Sequence, residues 1–374
     1  MRFKAEQAPL LRALAHIHGV AEKRNTIPIL ANVLLNYDGN VLKLTGTDME
    51  IAIVEEIPAP GGDAGSVTVP ASVLYEITRK LAGSEAIEFE QEDPESPLKL
   101  KAGRFATELN VLPVDDFPAM VAGELPHNFT LPVHVLRTLI DRTKFAMSNE
   151  ETRYYLNGIY FHIGSRDKEK TLRAVATDGH RLALFDAELP AGIKTMPGVI
   201  LPRKTVAELR KLLDEDDAEV NVALSDTRIQ FKIASVMLTS KLIDGTFPEY
   251  ERVIPRNNKR KLRISKQALG VAIGRVAAIS QERSRPIKLS VGQNHLTLTA
   301  TSPDQGMAQE ELDENSVTYE AEPLEIGFQA RYLTDITDQI DAEAEFSLAD
   351  SASPTLIQDT QEPSALFVLM PIRV

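Results

Sequence analysis

The sequence predicts an α+β fold built from three tandem copies of one domain, each with two helices on one side of antiparallel sheets. One observation is a repeat: VLKLTGTDMEIAI at 41–53 returns as TLRAVATDGHRLAL at 171–184 and, more loosely, as HLTLTATSPDQGMAQEEL at 295–312. The other is the order of elements, because candidate helices recur about every 60–70 residues with several alternating apolar and polar runs between them. So many strands between successive helices exclude a doubly wound parallel sheet.

A second set of segments keeps the same spacing and places the domain boundaries. VTVPASVLYEITRKL at 67–81 matches VILPRKTVAELRKLL at 199–213 and, faintly, LEIGFQARYLTDITDQI at 324–340, while Phe117-Pro118 reappears as Phe247-Pro248. A chain of 374 residues accommodates three such domains. We predict domains at 1–126, 127–256 and 257–374, with the basic segment 256–263 as a linker. Three near-equivalent modules favour a ring, an array or a clamp over a catalytic site.

Each third contains two similar halves, one helix followed by three or four strands, so its helices are expected to lie together on one side of curved sheets. The apolar periodicity predicts helices near 7–18, 72–82, 132–145, 203–213, 266–280 and 330–340. Alternation predicts strands in VLKLTG, AIEFEQ, KLKAGRFATELNV, EVNVALSD and RIQFKIASVMLTSKL, and SRDKEK at 165–170 is typical of a hairpin tip.

The composition limits the chemistry. The chain has no cysteine, which excludes disulfides, thiolate metal sites and cysteine nucleophiles. The N-terminus lacks the apolar core of a signal peptide, and no apolar run approaches the roughly 18 residues of a membrane span. We therefore expect a cytoplasmic protein without a cofactor.

The charges are unevenly distributed along the chain. A formal net charge of −13 would by itself disfavour nucleic acid as a partner. On the helix at 203–213, however, Val206, Leu209 and Leu213 form an apolar stripe, and the basic side chains gather on the opposite face. A solvated face would explain one such helix, whereas repetition on several helices favours a function. The outward cations on these helices are Arg79, Arg137, Lys144, Arg203, Lys204, Arg210 and Lys211.

These basic faces predict phosphate contact without sequence readout. Tryptophan is absent and aromatic residues make up 6% of the chain, which disfavours recognition of single strands by base stacking. No helix-turn-helix or zinc-finger spacing occurs. Contact with phosphates alone is weak and salt-sensitive. An acidic protein of this kind would hold DNA durably only by enclosing it.

The segment TDGHR at 177–181 raises the possibility of an enzyme centred on Asp178 and His180. No metal-ligand spacing and no G-x-S-x-G elbow accompany it, and the equivalent turns TDME and TSPD lack the histidine. We predict no catalytic residue and no metal site. A protein-interaction scaffold that does not bind nucleic acid is the third hypothesis. The apolar C-terminus, LFVLMPIRV, is expected to form a core edge strand or one wall of a groove for a partner peptide.

Several motifs together resemble one family, the bacterial sliding clamps, which are the beta subunits of DNA polymerase III. They are ATDGHRLAL, RYYLNG (153–158), TSKLIDGTFPEYERVIP (239–255), TIPIL (26–30), LTGTD (44–48) and the terminal MPIRV. The resemblance implies DNA-clamp domains and a ring-forming homodimer in which helices line the hole. It also implies a non-enzymatic processivity factor for DNA replication that encircles duplex DNA without sequence specificity. Short peptide motifs of the replicative polymerase, the clamp loader and repair or translesion polymerases would bind a hydrophobic pocket.

The resemblance also assigns residues. It implies a pocket for partner peptides formed by Leu156, Thr177, Gly179, His180, Arg181, Leu182, Pro248, Arg252, Val253, Val368, Leu369, Met370, Pro371, Ile372 and Arg373, with His180, Arg181 and Arg252 at the rim. It adds Arg24 to the cations facing DNA, and we expect Leu109 and Ile279 at the dimer contact. The sequence departs from the family pattern at Ser72, Glu150, Ala352, Pro354, Phe367 and Val374.

Overall fold

The computed structural model describes residues 1–21, 26–81, 86–121, 123–214, 218–279 and 286–374. Its α-helices are α1 (Gln7–Ile17), α2 (Ala71–Lys80), α3 (Val133–Asp141), α4 (Arg203–Leu212), α5 (Lys266–Ala277) and α6 (Ala330–Thr337). All six predicted helices are present. None of the helices in the described residues is long and apolar enough to cross a membrane.

The strands of the first half of the chain are β1 (Arg2–Glu6), β2 (Asn32–Tyr37), β3 (Val41–Thr47), β4 (Ile51–Pro58), β5 (Gly65–Pro70), β6 (Ala86–Glu90), β7 (Leu98–Ala102), β8 (Phe105–Leu109), β9 (His127–Pro132), β10 (Gly158–Arg166), β11 (Glu169–Thr177) and β12 (Arg181–Glu188). Those of the second half are β13 (Val199–Pro202), β14 (Glu219–Leu224), β15 (Arg228–Ile233), β16 (Val236–Lys241), β17 (Arg260–Ser265), β18 (Pro286–Gly292), β19 (His295–Ser302), β20 (Gly306–Leu312), β21 (Val317–Thr318), β22 (Leu324–Gln329), β23 (Glu343–Leu348), β24 (Thr355–Asp359) and β25 (Ala365–Leu369). The predicted strands are confirmed, as is the hairpin tip, where Arg166 pairs with Glu169.

The described residues divide into two compact units, each with one four-stranded and one longer sheet. The first comprises Met1–Arg137, Pro190–Pro197 and Lys204–Leu242, and the second comprises Thr138–Leu189, Gly198–Arg203 and Ile243–Val374. The sheet orders of the first unit are β1-β6-β7-β8 and β5-β2-β3-β4-β16-β15-β14-β9. Those of the second unit are β20-β19-β18-β22 and β13-β10-β11-β12-β25-β24-β23-β17-β21. Paired strands are antiparallel, which confirms the α+β class.

Each long sheet joins strands from two predicted domains. In the first unit β4 pairs with β16, and in the second unit β12 pairs with β25. The units are therefore not the predicted domains, whose bounds stay a prediction.

The apolar periodicities correspond to the buried faces. On α4 the stripe of Val206, Leu209 and the following Leu213 is buried, and along β7 buried and exposed residues alternate as LKLKA requires. Two expectations are wrong. The helix expected to reach 145 ends at Asp141, and the N–H of Thr143 bonds the carbonyl of Ile140, three residues back, in place of that of Leu139. The basic segment expected to be a linker contributes residues 260–263 to β17.

The repeat is visible in the hydrogen bonds of two turns. Thr47 donates its hydroxyl to the carbonyl of Ile51, and Thr177 donates to the carbonyl of Arg181. The aspartate that follows each threonine accepts hydrogen bonds from two backbone N–H groups of its turn. The third copy has a longer turn, since Thr301 lies opposite Met307, whereas Thr47 lies opposite Ala52 and Thr177 opposite Leu182.

A buried polar network lies beside the apolar core of the second unit. Arg173 forms an ion pair with Asp186, with Nε and Oδ1 2.7 Å apart, and donates to the Tyr250 hydroxyl at 3.2 Å. That hydroxyl is 2.9 Å from Nε2 of His162, whose Nδ1 lies 3.0 Å from the carbonyl of Ile163. A carbonyl only accepts, so Nδ1 carries the proton and Nε2 accepts from Tyr250.

The environment of this network favours its neutral imidazole and its charged guanidinium. Burial lowers the pKa of His162, and burial raises the pKa of Tyr250. Burial opposes the charge of Arg173, but its hydrogen bonds to Asp186 and Tyr250 leave its pKa raised. Protonation of His162 would remove the lone pair on Nε2 that accepts from Tyr250.

We predict that His162 destabilises the fold in acid. Its pKa is lower in the folded chain than the unfolded value of about 6.5, so the unfolded chain binds more protons and stability falls as the pH drops below that value. His162→Gln removes this titration. Melting temperatures measured between pH 7.5 and 5 should fall less steeply for the variant than for the natural chain. Parallel curves would contradict the prediction.

Candidate functional site

A cavity of about 170 Å³ lies in the second unit, and its walls are mainly apolar. Its lining consists of Leu156, Thr177, Gly179, His180, Arg181, Leu182, Pro248, Tyr250, Val253, Val368 and Met370. Ten of these belong to the predicted pocket, so residues from distant parts of the sequence lie together. Their role in binding stays a prediction.

Strand pairing builds the floor of this cavity. Leu182 of β12 lies directly opposite Val368 of β25, and Leu156 ends a short 3-10 helix. These side chains belong to one buried cluster with Leu184 and Phe247. Because packed cores are dense and resist deformation, the floor is a preformed apolar surface.

Tyr250 lines the cavity but was missed from the sequence. It lies in the short 3-10 helix Tyr250–Arg252, between the predicted residues Pro248 and Val253. Its hydroxyl is held by Arg173 and His162. The sequence did contain a signal, because Tyr250 lies between two predicted pocket residues in FPEYERV. A tyrosine there can offer an apolar ring to a pocket while its hydroxyl bonds to a buried partner.

The remaining predicted pocket residues do not line the cavity. Successive strand residues face opposite sides of the sheet, so Leu369 faces away from the cavity, which Val368 and Met370 line. Its side chain is fully buried on that other side. The Arg252 side chain is 80% exposed and forms an ion pair with Glu249. After β25 the chain runs toward β22, where the N–H of Ile372 donates to the carbonyl of Gly327. Pro371 is half-buried and Arg373 is exposed.

The terminal strand β25 is an interior strand. It pairs with β12 on one side and with β24 on the other. The expectation of an edge strand is therefore wrong, and Val368 and Met370 contribute to the cavity wall from the middle of a sheet.

The TDGHR turn has structural rather than catalytic geometry. Asp178 accepts from the N–H groups of His180 and Arg181 and pairs with the Arg181 side chain. His180 is exposed and stacks on Tyr332 with ring centroids 6.2 Å apart. In the described residues no three histidine, aspartate or glutamate side chains are placed to hold a metal.

Arg181 differs from its predicted position at the rim. Its side chain is 4% exposed and forms ion pairs with Asp178 and with Asp335 of α6. It contacts the cavity, but its charge faces groups of the chain itself.

The predicted DNA-facing cations of the first unit mostly have partners within the chain. Lys204 forms an ion pair with Asp48, and Arg210 lies 3.4 Å from Asp214. Arg79 pairs with Glu76, Lys211 pairs with Glu208, and Arg137 donates to the carbonyl of Leu213. Arg79 and Lys211 keep just over half of their side chains exposed.

The two such cations of the second unit are also engaged. Lys144 lies in the 3-10 helix Lys144–Ala146, not on α3 as expected, and pairs with Asp141 at 2.5 Å. Arg203 donates to the carbonyls of Met147 and Ser148, and burial lowers its pKa. Arg24 lies outside the described residues.

Neither candidate dimer residue is strongly exposed, and their role at a dimer contact stays a prediction. Leu109 ends the edge strand β8, lies opposite Leu98 of β7 and is 6% exposed. On the same strand Phe105 is 41% exposed. Ile279 follows α5 and is half-buried, whereas Met307, on the edge strand β20, is 63% exposed. The large exposed apolar residues described on these two edge strands are thus Phe105 and Met307.

Comparisons with known proteins identify the family. The models of the DNA polymerase III beta subunit match its N-terminal domain at residues 1–121, its central domain at 130–249 and its C-terminal domain at 251–373. The beta sliding clamp of Caulobacter vibrioides is 46% identical over all of both chains. The crystal structure of a sliding clamp from Bartonella birtlesii bound to griselimycin is 45% identical, with a TM-score of 0.96 over all of both chains. That of the DNA polymerase III subunit beta from Pseudomonas aeruginosa is 38% identical, with a TM-score of 0.93 over all of both chains.

These matches confirm the resemblance, the three tandem clamp domains and the prediction of a clamp in place of an enzyme. The chain belongs to the family of DNA polymerase III beta subunits, the bacterial sliding clamps.

Proposed function

We propose that two copies of this chain close head-to-tail into a ring that encloses duplex DNA and tethers replication proteins through the cavity of the second unit. The observation that carries the proposal is the match to sliding clamps over the whole chain, together with an apolar cavity among the residues that the family resemblance assigned. We further propose the domain bounds 1–126, 127–256 and 257–374 and a cytoplasmic location.

The charges support enclosure over attraction. The chain carries a net charge of −13, and the predicted DNA-facing cations that the structure describes contact carboxylates or carbonyls of the chain itself. Such cations interact weakly with phosphates, and salt weakens the interaction further. A closed ring needs no strong attraction, since topology retains the duplex.

The cavity supports exchangeable peptide binding. Its apolar floor suits the leucine and phenylalanine side chains of a short tail that also carries a glutamine. Burying two large apolar side chains contributes about 3–6 kcal/mol before ordering costs. Binding of this strength allows the replicative polymerase, the clamp loader and repair or translesion polymerases to replace one another.

We predict retention on circular DNA and loss from linear DNA. The protein, loaded by a bacterial clamp loader with ATP onto a nicked plasmid, should co-elute with the circle during gel filtration and leave it after one double-strand cut. Equal release from both forms would refute enclosure. A protein that binds peptide but is never retained on the circle would instead be an interaction scaffold.

We predict that Val253→Asp weakens peptide binding about tenfold or more, because a carboxylate at the cavity must be desolvated when an apolar side chain enters. Val253 is 51% exposed, so the fold should tolerate the change. The readout is fluorescence anisotropy with a labelled peptide carrying glutamine, leucine and phenylalanine. Val271→Asp is the matched control, because Val271 is 45% exposed on α5 and does not line the cavity. Equal affinities for the two variants would contradict this site.

We predict that Phe105→Asp shifts the chain from dimer to monomer. An exposed phenylalanine on an edge strand suits a contact with a second copy, and a carboxylate there would resist burial. Sedimentation at micromolar concentration measures the mass. Val121→Asp, at an apolar residue that is 68% exposed and lies outside the strands, is the control and should remain dimeric. A dimeric Phe105→Asp protein would remove β8 from the interface.

A further inference from the structure

The Arg181 guanidinium joins three segments of the second unit. Its Nε lies 3.1 Å from Asp178 in its own turn, and its Nη1 lies 2.5 Å from Oδ2 of Asp335 on α6. Its Nη2 donates to the carbonyl of Phe145 at 2.5 Å. The Tyr332 ring lies 4.4 Å from the guanidinium carbon and the Phe145 ring lies 5.1 Å from it.

This arrangement leaves little of Arg181 for a ligand. All three guanidinium nitrogens are engaged, aromatic rings lie close to it, and the side chain is 4% exposed. Because the side chain is buried, a partner carboxylate would compete with Asp178 and Asp335 for it. Arg181 therefore contacts the cavity mainly through its stem.

We propose that Arg181 is a positioning residue, which with Asp335 and Tyr332 fixes the 177–181 turn against α6 and so holds one wall of the cavity in place. The inference rests on the proposed peptide-binding function. It assigns Asp335, which does not line the cavity, a role in partner affinity.

The turn transmits this constraint to the cavity wall. The His180 ring stacks on Tyr332, and the carbonyl of His180 accepts from the N–H of Met370 at 2.9 Å. His180 and Met370 both line the cavity. Loss of the Asp335 charge leaves the buried guanidinium with less compensation, which favours displacement of the turn and of these two wall residues.

The Asp335→Asn variant distinguishes a positioning role of Arg181 from a ligand-binding role, because the two roles predict opposite changes in affinity for an acidic peptide. A positioning role predicts that the glutamine–leucine–phenylalanine peptide binds about tenfold more weakly. The loss should be the same whether the peptide is neutral or carries added aspartates. A ligand role predicts tighter binding of the acidic peptide, because the guanidinium is released from its competitor. Asp335→Glu, which keeps the charge, should restore part of the affinity. Asp338→Asn, at an exposed aspartate following the same helix, should bind as the natural chain does.

A second measurement does not depend on the peptide. The methyl carbon of Met370, observed by NMR in the full-length protein, should shift in Asp335→Asn and remain in place in Asp338→Asn. Unchanged or tighter peptide binding, or an unmoved methyl signal, would overturn the positioning role. If the natural chain fails to bind the peptide while the methyl signal shifts in Asp335→Asn, the proposed peptide site is wrong and the positioning of the turn stands.

Discussion

The pairing of β12 with β25 is the contact on which the cavity depends. It places Leu182 beside Val368, although the first residue comes from the middle of the chain and the second from its end. Side chains alternate along a strand, so a slip of one residue would turn Leu369 toward the cavity and bury Val368 on the opposite face. The flanking pair of β25 with β24 fixes the same register from the other side. The apolar floor is therefore a consequence of sheet continuity as much as of composition.

Carboxylates of the chain compensate part of the charge on the basic helices. The aspartates and glutamates that pair with Lys204, Arg79 and Lys211 reduce the attraction available to phosphates. A ring that slides needs such weakness, because strong local contacts would hold it at one position on the duplex. A net negative body with compensated cations is compatible with a topological mode of retention and less so with a groove that binds DNA by attraction.

Much of the fold followed from the sequence, because burial imposes periods that can be read without coordinates. The stripe of Val206, Leu209 and Leu213 predicted α4, and the repeat predicted three domains. The end of α3 did not follow, since the change from i−4 to i−3 backbone bonding at Thr143 leaves no periodic signal. The family resemblance assigned most cavity residues, but it placed Arg181 at the rim. Its burial depends on Asp335, more than 150 positions away, and such a pairing leaves no periodic signal.

The two copies of the turn share their hydrogen bonds but differ in one buried side chain. Both copies keep the threonine and aspartate hydrogen bonds, but the position four residues after the threonine is Ile51 in one and Arg181 in the other. Ile51 is 1% exposed and needs no partner, whereas a buried guanidinium is costly unless it is paired. Replacing a buried ion pair by apolar residues often stabilises a protein, so stability alone is a weak reason for an arginine here. Its three hydrogen-bond partners instead fix the direction of the turn, a property that an isoleucine at the same position cannot supply and that a preformed peptide site requires.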